Sequence, residues 1–501
     1  MQHPRFCEQL RRLLCAILSA AVTAAMCACG GGGAQGTQPL SGSVSATAHP
    51  LVAKYSAQIP ASSSAFVEFG KDQTYGRKTS SQVPNSAGMV EILVAGMQPA
   101  TTYHMRVVTT GRNGTQVDSD HTFTTGQPDA ASVPITTVKR SGSPAPGVEL
   151  LDMVVPNGKL QAAVVDLDGS LVWYYAYDPA MGFPYPIRPM PGGHMLITIG
   201  TGLMREIDLA GTTIRELTPD VLNQRLEAAS LPERITGFHH DALPLPNGRV
   251  VVICEQQKMV TLAGDSSPRM IRGDALIDLD GNFNPVWTWS AFDHLDVNRH
   301  PMDVEDWLHS NGLLYSPTDH ALILSIRNQH WVLKIDYADG QGSGAVLWRL
   351  GPGGDFHLSD DPLDWFYGQH FPSFADNQNG NPNLSLAVFD NRATNQDGTN
   401  CATTTGTCYS RPLILKLDET TMTASIQWQD DLSLYSLWGG SIQTLSNGNV
   451  EFDVPNPFPG LQSRIMEVSR DSKQTVWQMD IQGQLAYRGY RIPSLYPGVQ
   501  W

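Results

Sequence analysis

Long apolar runs, a basic surface and the common nucleotide and metal signatures are all missing from this 501-residue chain. The net charge of −15 excludes the phosphate-neutralising surface that nucleic acid requires. The Gly70-Lys71 and Gly158-Lys159 pairs are each followed by the wrong residue for a phosphate-cradling GxxxxGK[ST] loop. There is no HExxH and no paired CxxC, so no metal site is expected. A GxSxG nucleophile elbow is absent, and Ser266-Ser267-Pro268-Arg269 lacks the Cys/Ser-x-Pro-x-Arg spacing of a formylglycine site. Cysteine is scarce, with seven residues, and Cys7, Cys15 and Cys27 fall in the first 28. Glycine and proline, at 46 and 34 residues, are in excess and point to many turns between short strands.

The first segment reads as an export signal. Arg5, Arg11 and Arg12 precede an apolar run from Leu13 to Met26 that is too short for a membrane span. Ala28-Cys29-Gly30 resembles a bacterial lipobox, which predicts lipidation of Cys29 as the first mature residue and a lipid anchor in the cell envelope. The other reading is an ordinary signal cut nearby, leaving a soluble periplasmic protein. Export in turn predicts a disulfide between Cys401 and Cys408, which bracket a loop of small residues. Cys254, in a strand-like run, is expected to be a buried thiol.

Residues 30–45 read as a flexible tether and 46–127 as a small β-sandwich with alternating strands. The segment Leu93 to Tyr103 resembles the turn into the tyrosine-bearing strand of a fibronectin type III module. From 140 to 501 one pattern recurs six times. An apolar strand ends at an Asp or similar turn residue and a second strand follows, most often carrying Trp. The copies run to Trp173, Ile214, Trp287, Trp348, Trp428 and Trp477. Turn signals at Pro156-Asn157-Gly158, Pro191-Gly192-Gly193, Pro246-Asn247-Gly248 and Ser446-Asn447-Gly448 mark a further hairpin ahead of most copies. Two hairpins per copy predict four-stranded blades, so the fold class is all-β, a six-bladed β-propeller preceded by a fibronectin III-like sandwich. The extra length between Arg215 and Phe238, Ser290 and Trp307, and Gly351 and Asn400 is expected to carry active-site loops.

Histidines stand at the start of a predicted innermost strand in three copies: His239-His240, His309 and His370. Matching positions in successive blades bring them together at the centre. Adjacent strand residues point to opposite sides, so only one of His239 and His240 can face the channel squarely. A neutral imidazole is a nucleophile at neutral pH and a fair leaving group. Arg327 follows on the next strand, placed to hold an anionic group with its planar fork. Asn311 is read either as a donor to that group or as a strand cap. Trp365 and Tyr367 are read as blade packing, with stacking on an aromatic ligand as the alternative. His104, His194, His294, His300, His320, His330 and His357 are assigned no role.

In this order, His239-His240-Asp241, Asp306-Trp307-Leu308-His309-Ser310-Asn311, Ser325-Ile326-Arg327-Asn328-Gln329, Gln369-His370 and Phe389-Asp390-Asn391 resemble the bacterial arylsulfate sulfotransferase family. The resemblance implies transfer of a sulfuryl group from a phenolic sulfate ester to another phenol, with His370 as nucleophile and no cofactor. Read physically beside that resemblance, His309 and His239 or His240 stabilise the transferring group or exchange a proton with the phenol, and Arg327, Asn311 and Asn391 bind substrate. Small phenols and aryl sulfates are then the partners, and a homodimer stays open. Two other readings compete: an exported propeller that only binds a ligand, and a sulfatase or phosphatase that uses the same histidines with water as acceptor.

Overall fold

Alternating apolar residues between Asp-, Asn- and Gly-rich turns put most of the chain into antiparallel strands. The computed structural model describes residues 40–501 except 113, 130–132, 155–159, 362–363, 377–382, 394–400, 402–407 and 457–461. The expected leader, Cys29 and most of the tether lie outside the described residues. Residues 40–501 form one compact unit.

Two sheets open it. Gly42–Ala46, Ala53–Gln58 and Met89–Val94 form one; Ser64–Gly70, Arg77–Lys78, Thr102–Gly111, Gly114–Val117 and His121–Thr124 form the other. They share a core of Tyr55, Val67, Phe69, Ile92, Tyr103 and Met105. Residues 42–45, expected in the tether, are strand instead. Gly42 pairs with Ala57, and the Gly42 N–H donates to Asp118 Oδ2 at 2.7 Å.

Six further sheets follow, each with at least four strands and antiparallel except where His357–Leu358 joins the edge of the fifth in parallel. The first strands of sheets two to six are Pro184–Pro189, Gly237–Pro244, Ser310–Ser316, His370–Phe374 and Ser441–Thr444. Sheet one takes its first strand from the far end of the chain: Leu485–Ile492 pairs with Val148–Val154. Each first strand packs on the next, and Ser441–Thr444 packs on Leu485–Ile492. The result is an all-β arrangement consistent with a β-propeller. The turn read at residues 156–158 lies outside the described residues; the strands on either side, Val148–Val154 and Leu160–Val165, are the second and third of sheet one and not the first and second. The reason is that the C-terminal strand supplies that sheet's first position. Ile135–Arg140 adds a fifth strand to sheet six, beginning before the expected boundary at 140.

The six recurrent copies are the third and fourth strands of the six sheets. In the first three, the turn is set by an Asp side chain. Asp166 Oδ1 accepts from the N–H groups of Asp168 and Ser170, and Asp208 and Asp280 repeat the pattern. The tryptophans pack between sheets, and most also make a polar contact across the gap. The indole N–H groups of Trp173, Trp289, Trp428 and Trp477 donate to the carbonyls of Leu209, Gly344, Arg470 and Leu167 at 2.8–2.9 Å, each in the following sheet. The Trp477 bond ties sheet six to sheet one.

Candidate active site

The first strands do not run straight through the centre. Pairing with the second strand is interrupted between Pro184 and Ile187, Phe238 and Ala242, Ser310 and Gly312, and His370 and Ser373. Interruptions of this kind re-aim side chains. His240, His309 and Phe371 accordingly have φ of 54°, 55° and 42°, in the left-handed region that non-glycine residues seldom adopt.

These bends open on a cavity of about 400 Å³ lined by His240, His309, Arg327 and His370. Phe183, Tyr185, Trp438 and Tyr487 complete the lining, with the Tyr185 ring 5.2 Å from that of His240 and the Tyr487 ring 5.8 Å from that of His370. The polar half comes from sheets three to five. The aromatic half comes from sheets six, one and two, at or beside the matching place in their first strands. Its rings touch: Trp438 stacks on Tyr487 with centroids 5.9 Å apart, and Phe183 meets Tyr185 edge-on at 5.7 Å. The aromatic residues escaped the sequence reading, although the matching positions of the three histidine-free copies would have found them.

His370 is buried, and its Nδ1 lies 2.7 Å from Asn391 Oδ1. Both Asn391 amide hydrogens are already committed, to the carbonyls of Ser436 and Gly439 at 3.0 Å. The Asn391 oxygen can therefore only accept, which puts the imidazole proton on Nδ1 and leaves the Nε2 lone pair free. Burial holds His370 well below the usual histidine range, and the Arg327 charge adds to this against the opposing Asn391 bond. His370 is thus neutral at pH 7. Asn391, expected to bind substrate, does not line the cavity; it orients His370.

Arg327 brings a guanidinium to the wall without a carboxylate at ion-pair distance among the described residues. Its Nη1 donates to Asn328 Oδ1 at 3.0 Å and its Nη2 to the Leu437 carbonyl at 3.4 Å, while Nε is enclosed with no partner. Burial lowers its pKa, with only partial relief from Tyr487 and Asp306. An uncompensated cation beside a cavity is a site for an anion.

His309 Nδ1 lies 2.7 Å from Asp306 Oδ2. Burial pushes the Asp306 carboxyl upward, but the His309 bond and charge outweigh it and leave the group below its usual value. Of the adjacent pair, His240 faces the cavity and His239 turns behind it. The two Nδ1 atoms are 2.9 Å apart, and His239 Nε2 lies 3.2 Å from Asp274 Oδ1. Asn311 lies outside the cavity: its amide donates to the Gln369 carbonyl at 2.8 Å, which holds the residue before His370. Trp365 and Tyr367 also lie elsewhere, packed against Phe366 and His330. His330, given no role from sequence, accepts the Gly368 N–H at Nδ1 and so steadies the approach to His370. Cys401 and Cys408 are joined in a disulfide, and Cys254 is a buried free thiol. Among the described residues no group of His, Cys, Asp and Glu is arranged to hold a metal.

The arylsulfotransferase (ASST) family model matches residues 137–491. The chain belongs to the arylsulfotransferase family. Membership supports aryl sulfotransferase activity in general, with aryl sulfates and phenols as substrates. No match was found among curated proteins. Similar solved structures include BamB from Moraxella catarrhalis, 11% identical, covering 80% of this chain and 95% of that one at a TM-score of 0.30. Kuenenia stuttgartiensis hydrazine synthase is 11% identical over 58% of this chain and 68% of that one, at a TM-score of 0.30. A putative 6-phosphogluconolactonase from Bacteroides uniformis is 8% identical over 68% and 83%, at 0.31. Scores this low carry no argument about this arylsulfotransferase.

Proposed function

We propose that the protein transfers a sulfuryl group from an aryl sulfate to a phenol by a ping-pong mechanism through a sulfo-histidine at His370. The observation that carries this reading is the His370–Asn391 hydrogen bond, which leaves a neutral, cavity-facing imidazole with its lone pair on Nε2. His370 Nε2 attacks sulfur, the bond from sulfur to the aryl oxygen breaks, and the first phenol leaves. The second phenol then attacks the same sulfur and the bond to nitrogen breaks. Arg327 holds the sulfonate oxygens and His309 and His240 stabilise charge on them, while the Trp438–Tyr487 and Phe183–Tyr185 walls take the aryl rings. An apolar half-ring joined to a basic half-ring matches a molecule that is aromatic at one end and anionic at the other.

The same proposal includes a six-bladed propeller as catalytic domain, a fibronectin III-like sandwich before it, and export to the periplasm or cell envelope on the leader of residues 1–29 with Cys29 as lipid attachment site. It needs no cofactor, and self-association stays open within it.

The test is incubation of the purified protein with 4-nitrophenyl sulfate, with and without phenol. Nitrophenol release that depends on the phenol is expected, together with a sulfo-group mass increase on the His370 peptide. Release without phenol would indicate a hydrolase and no release a binding module. An unchanged rate in His370→Ala would remove His370 as nucleophile.

A further inference from the structure

Behind His240 in the cavity wall stand two buried groups, His239 and Asp274, that the transfer chemistry does not yet use. Asp274 lies on the strand Arg269–Leu279 and is nearly enclosed. Its Oδ2 accepts the Ser310 N–H at 2.8 Å, which ties it to the residue after His309. Its Oδ1 faces His239 Nε2 at 3.2 Å, and His239 Nδ1 faces His240 Nδ1 at 2.9 Å. His240 alone of the three lines the cavity.

We propose that Asp274, His239 and His240 form a proton relay that protonates the departing phenol and recovers a proton from the incoming one. This rests on the sulfotransferase reading above.

Two nitrogens 2.9 Å apart need one proton between them, and a nitrogen facing a carboxylate carries its own. A singly charged His239 therefore donates from Nδ1 to His240 and keeps its Nε2 proton beside Asp274, with which it is paired by charge at 3.2 Å and not by a hydrogen bond. A neutral His240 that accepts at Nδ1 holds its proton on Nε2, at the cavity. The surroundings favour this distribution. His309, His370 and Arg488 face His240 along with the rings of Tyr185 and Tyr487; Asp274, Glu255 and Asp306 face His239. Burial depresses both rings, but the carboxylates, Asp274 first, leave His239 above its usual value, while burial and the basic groups around it leave His240 well below.

In the first half-reaction the electron pair of the breaking sulfur–oxygen bond goes to the aryl oxygen, which takes the Nε2 proton of His240. The Nδ1 proton of His239 passes to His240 Nδ1, and His239 is left neutral beside Asp274. In the second half-reaction the acceptor hydroxyl gives its proton to His240 Nε2 while its oxygen bonds to sulfur. The Nδ1 proton of His240 returns to His239, and the sulfur–nitrogen pair returns to His370. The enzyme ends in its starting state. His240 is the group that touches the substrate, and Asp274 and His239 are positioning residues acting through it.

The experiment compares Asp274→Asn with the wild-type protein on phenyl sulfate and 4-nitrophenyl sulfate, reading kcat/KM for the donor. Phenolate is the stronger base and needs the proton more, so the variant should lose about 10²-fold more rate on phenyl sulfate than on 4-nitrophenyl sulfate. The solvent deuterium isotope effect on phenyl sulfate should fall with it. His239→Gln should show the same pattern, and it carries the test if Asp274→Asn does not fold. Equal losses on both donors in the folded variants overturn the relay. So does a leaving-group-dependent loss confined to His309→Gln. A wild-type protein that transfers from neither donor refutes the sulfotransferase reading itself, a result distinguishable from failure of the relay.

Discussion

The Nδ1 of His370 and the Oδ1 of Asn391, 21 residues apart, lie 2.7 Å from each other inside the protein. The Asn391 amide is locked by two backbone carbonyls, so this one contact selects the tautomer of the imidazole that faces the cavity. Asn391→Ala should lower the rate of sulfo-enzyme formation by about ten- to a hundredfold, the scale for removing a group that orients a reactive imidazole. Single-turnover release of nitrophenol measures it. A rate within error of the wild type would show that the contact only packs.

Arg327 sets function against stability. Its charge is desolvated without a carboxylate partner, so Arg327→Met should leave the melting temperature unchanged or raise it, while kcat/KM falls by about 10²–10³-fold. Thermal melts and donor kinetics on the same preparation check both halves. Inorganic sulfate should raise the melting temperature of the wild-type protein and not that of the variant. A large loss of stability in Arg327→Met would mean that the guanidinium is structural.

His330 gives a pH dependence whose sign follows from burial. Burial first, then Arg299 and Arg327, push its pKa down to about 3 from an ordinary 6.5. Below 6.5 the unfolded chain takes up a proton that the folded one refuses, so stability is lost as pH falls through that window. His330→Gln removes this contribution. Between pH 7 and 5 the variant should lose about 2 kcal/mol less stability than the wild-type protein. Urea denaturation at the two pH values reads the difference, and parallel losses would contradict it.

The closing tryptophan offers a test of the ring. Trp477 donates to Leu167 across the seam between the last and first sheets, whereas the buried indole N–H of Trp348 has no partner among the described residues. Trp477→Phe should cost about 1–3 kcal/mol. Trp348→Phe should cost less by about 1 kcal/mol, the worth of the hydrogen bond. Equilibrium unfolding of both variants makes the comparison, and equal costs would show that ring volume alone matters.

Much of this was legible in the residues. The Asp turns, with Ser469 in the last copy, and the tryptophans that follow in every copy but the second marked the third and fourth strands of the six sheets, because a turn whose side chain bonds its own backbone has a local signature. His309 and His370 were legible for a related reason, since each opens a first strand. The choice between His239 and His240 was not, because it depends on a register break that no local pattern announces. Asn311 and Asn391 were read as substrate ligands; their amides instead hold Gln369 and His370, contacts that link different sheets or strands of one sheet.

The sequence by itself determined the strand period, the six-fold recurrence and the ordered motifs that match the arylsulfotransferase family. Each is a property of a few neighbouring residues and survives without the rest of the chain. Tertiary structure alone decided that Leu485–Ile492 completes the first sheet and that Tyr487 from that strand joins Tyr185 and Trp438 beside the histidines. It alone put Asp274 behind His239 and the Asn391 oxygen on His370. The physical reason is closure: once the two ends of the chain meet in one sheet, residues hundreds of positions apart share a cavity, and the hydrogen-bond partners buried there set which nitrogen holds a proton.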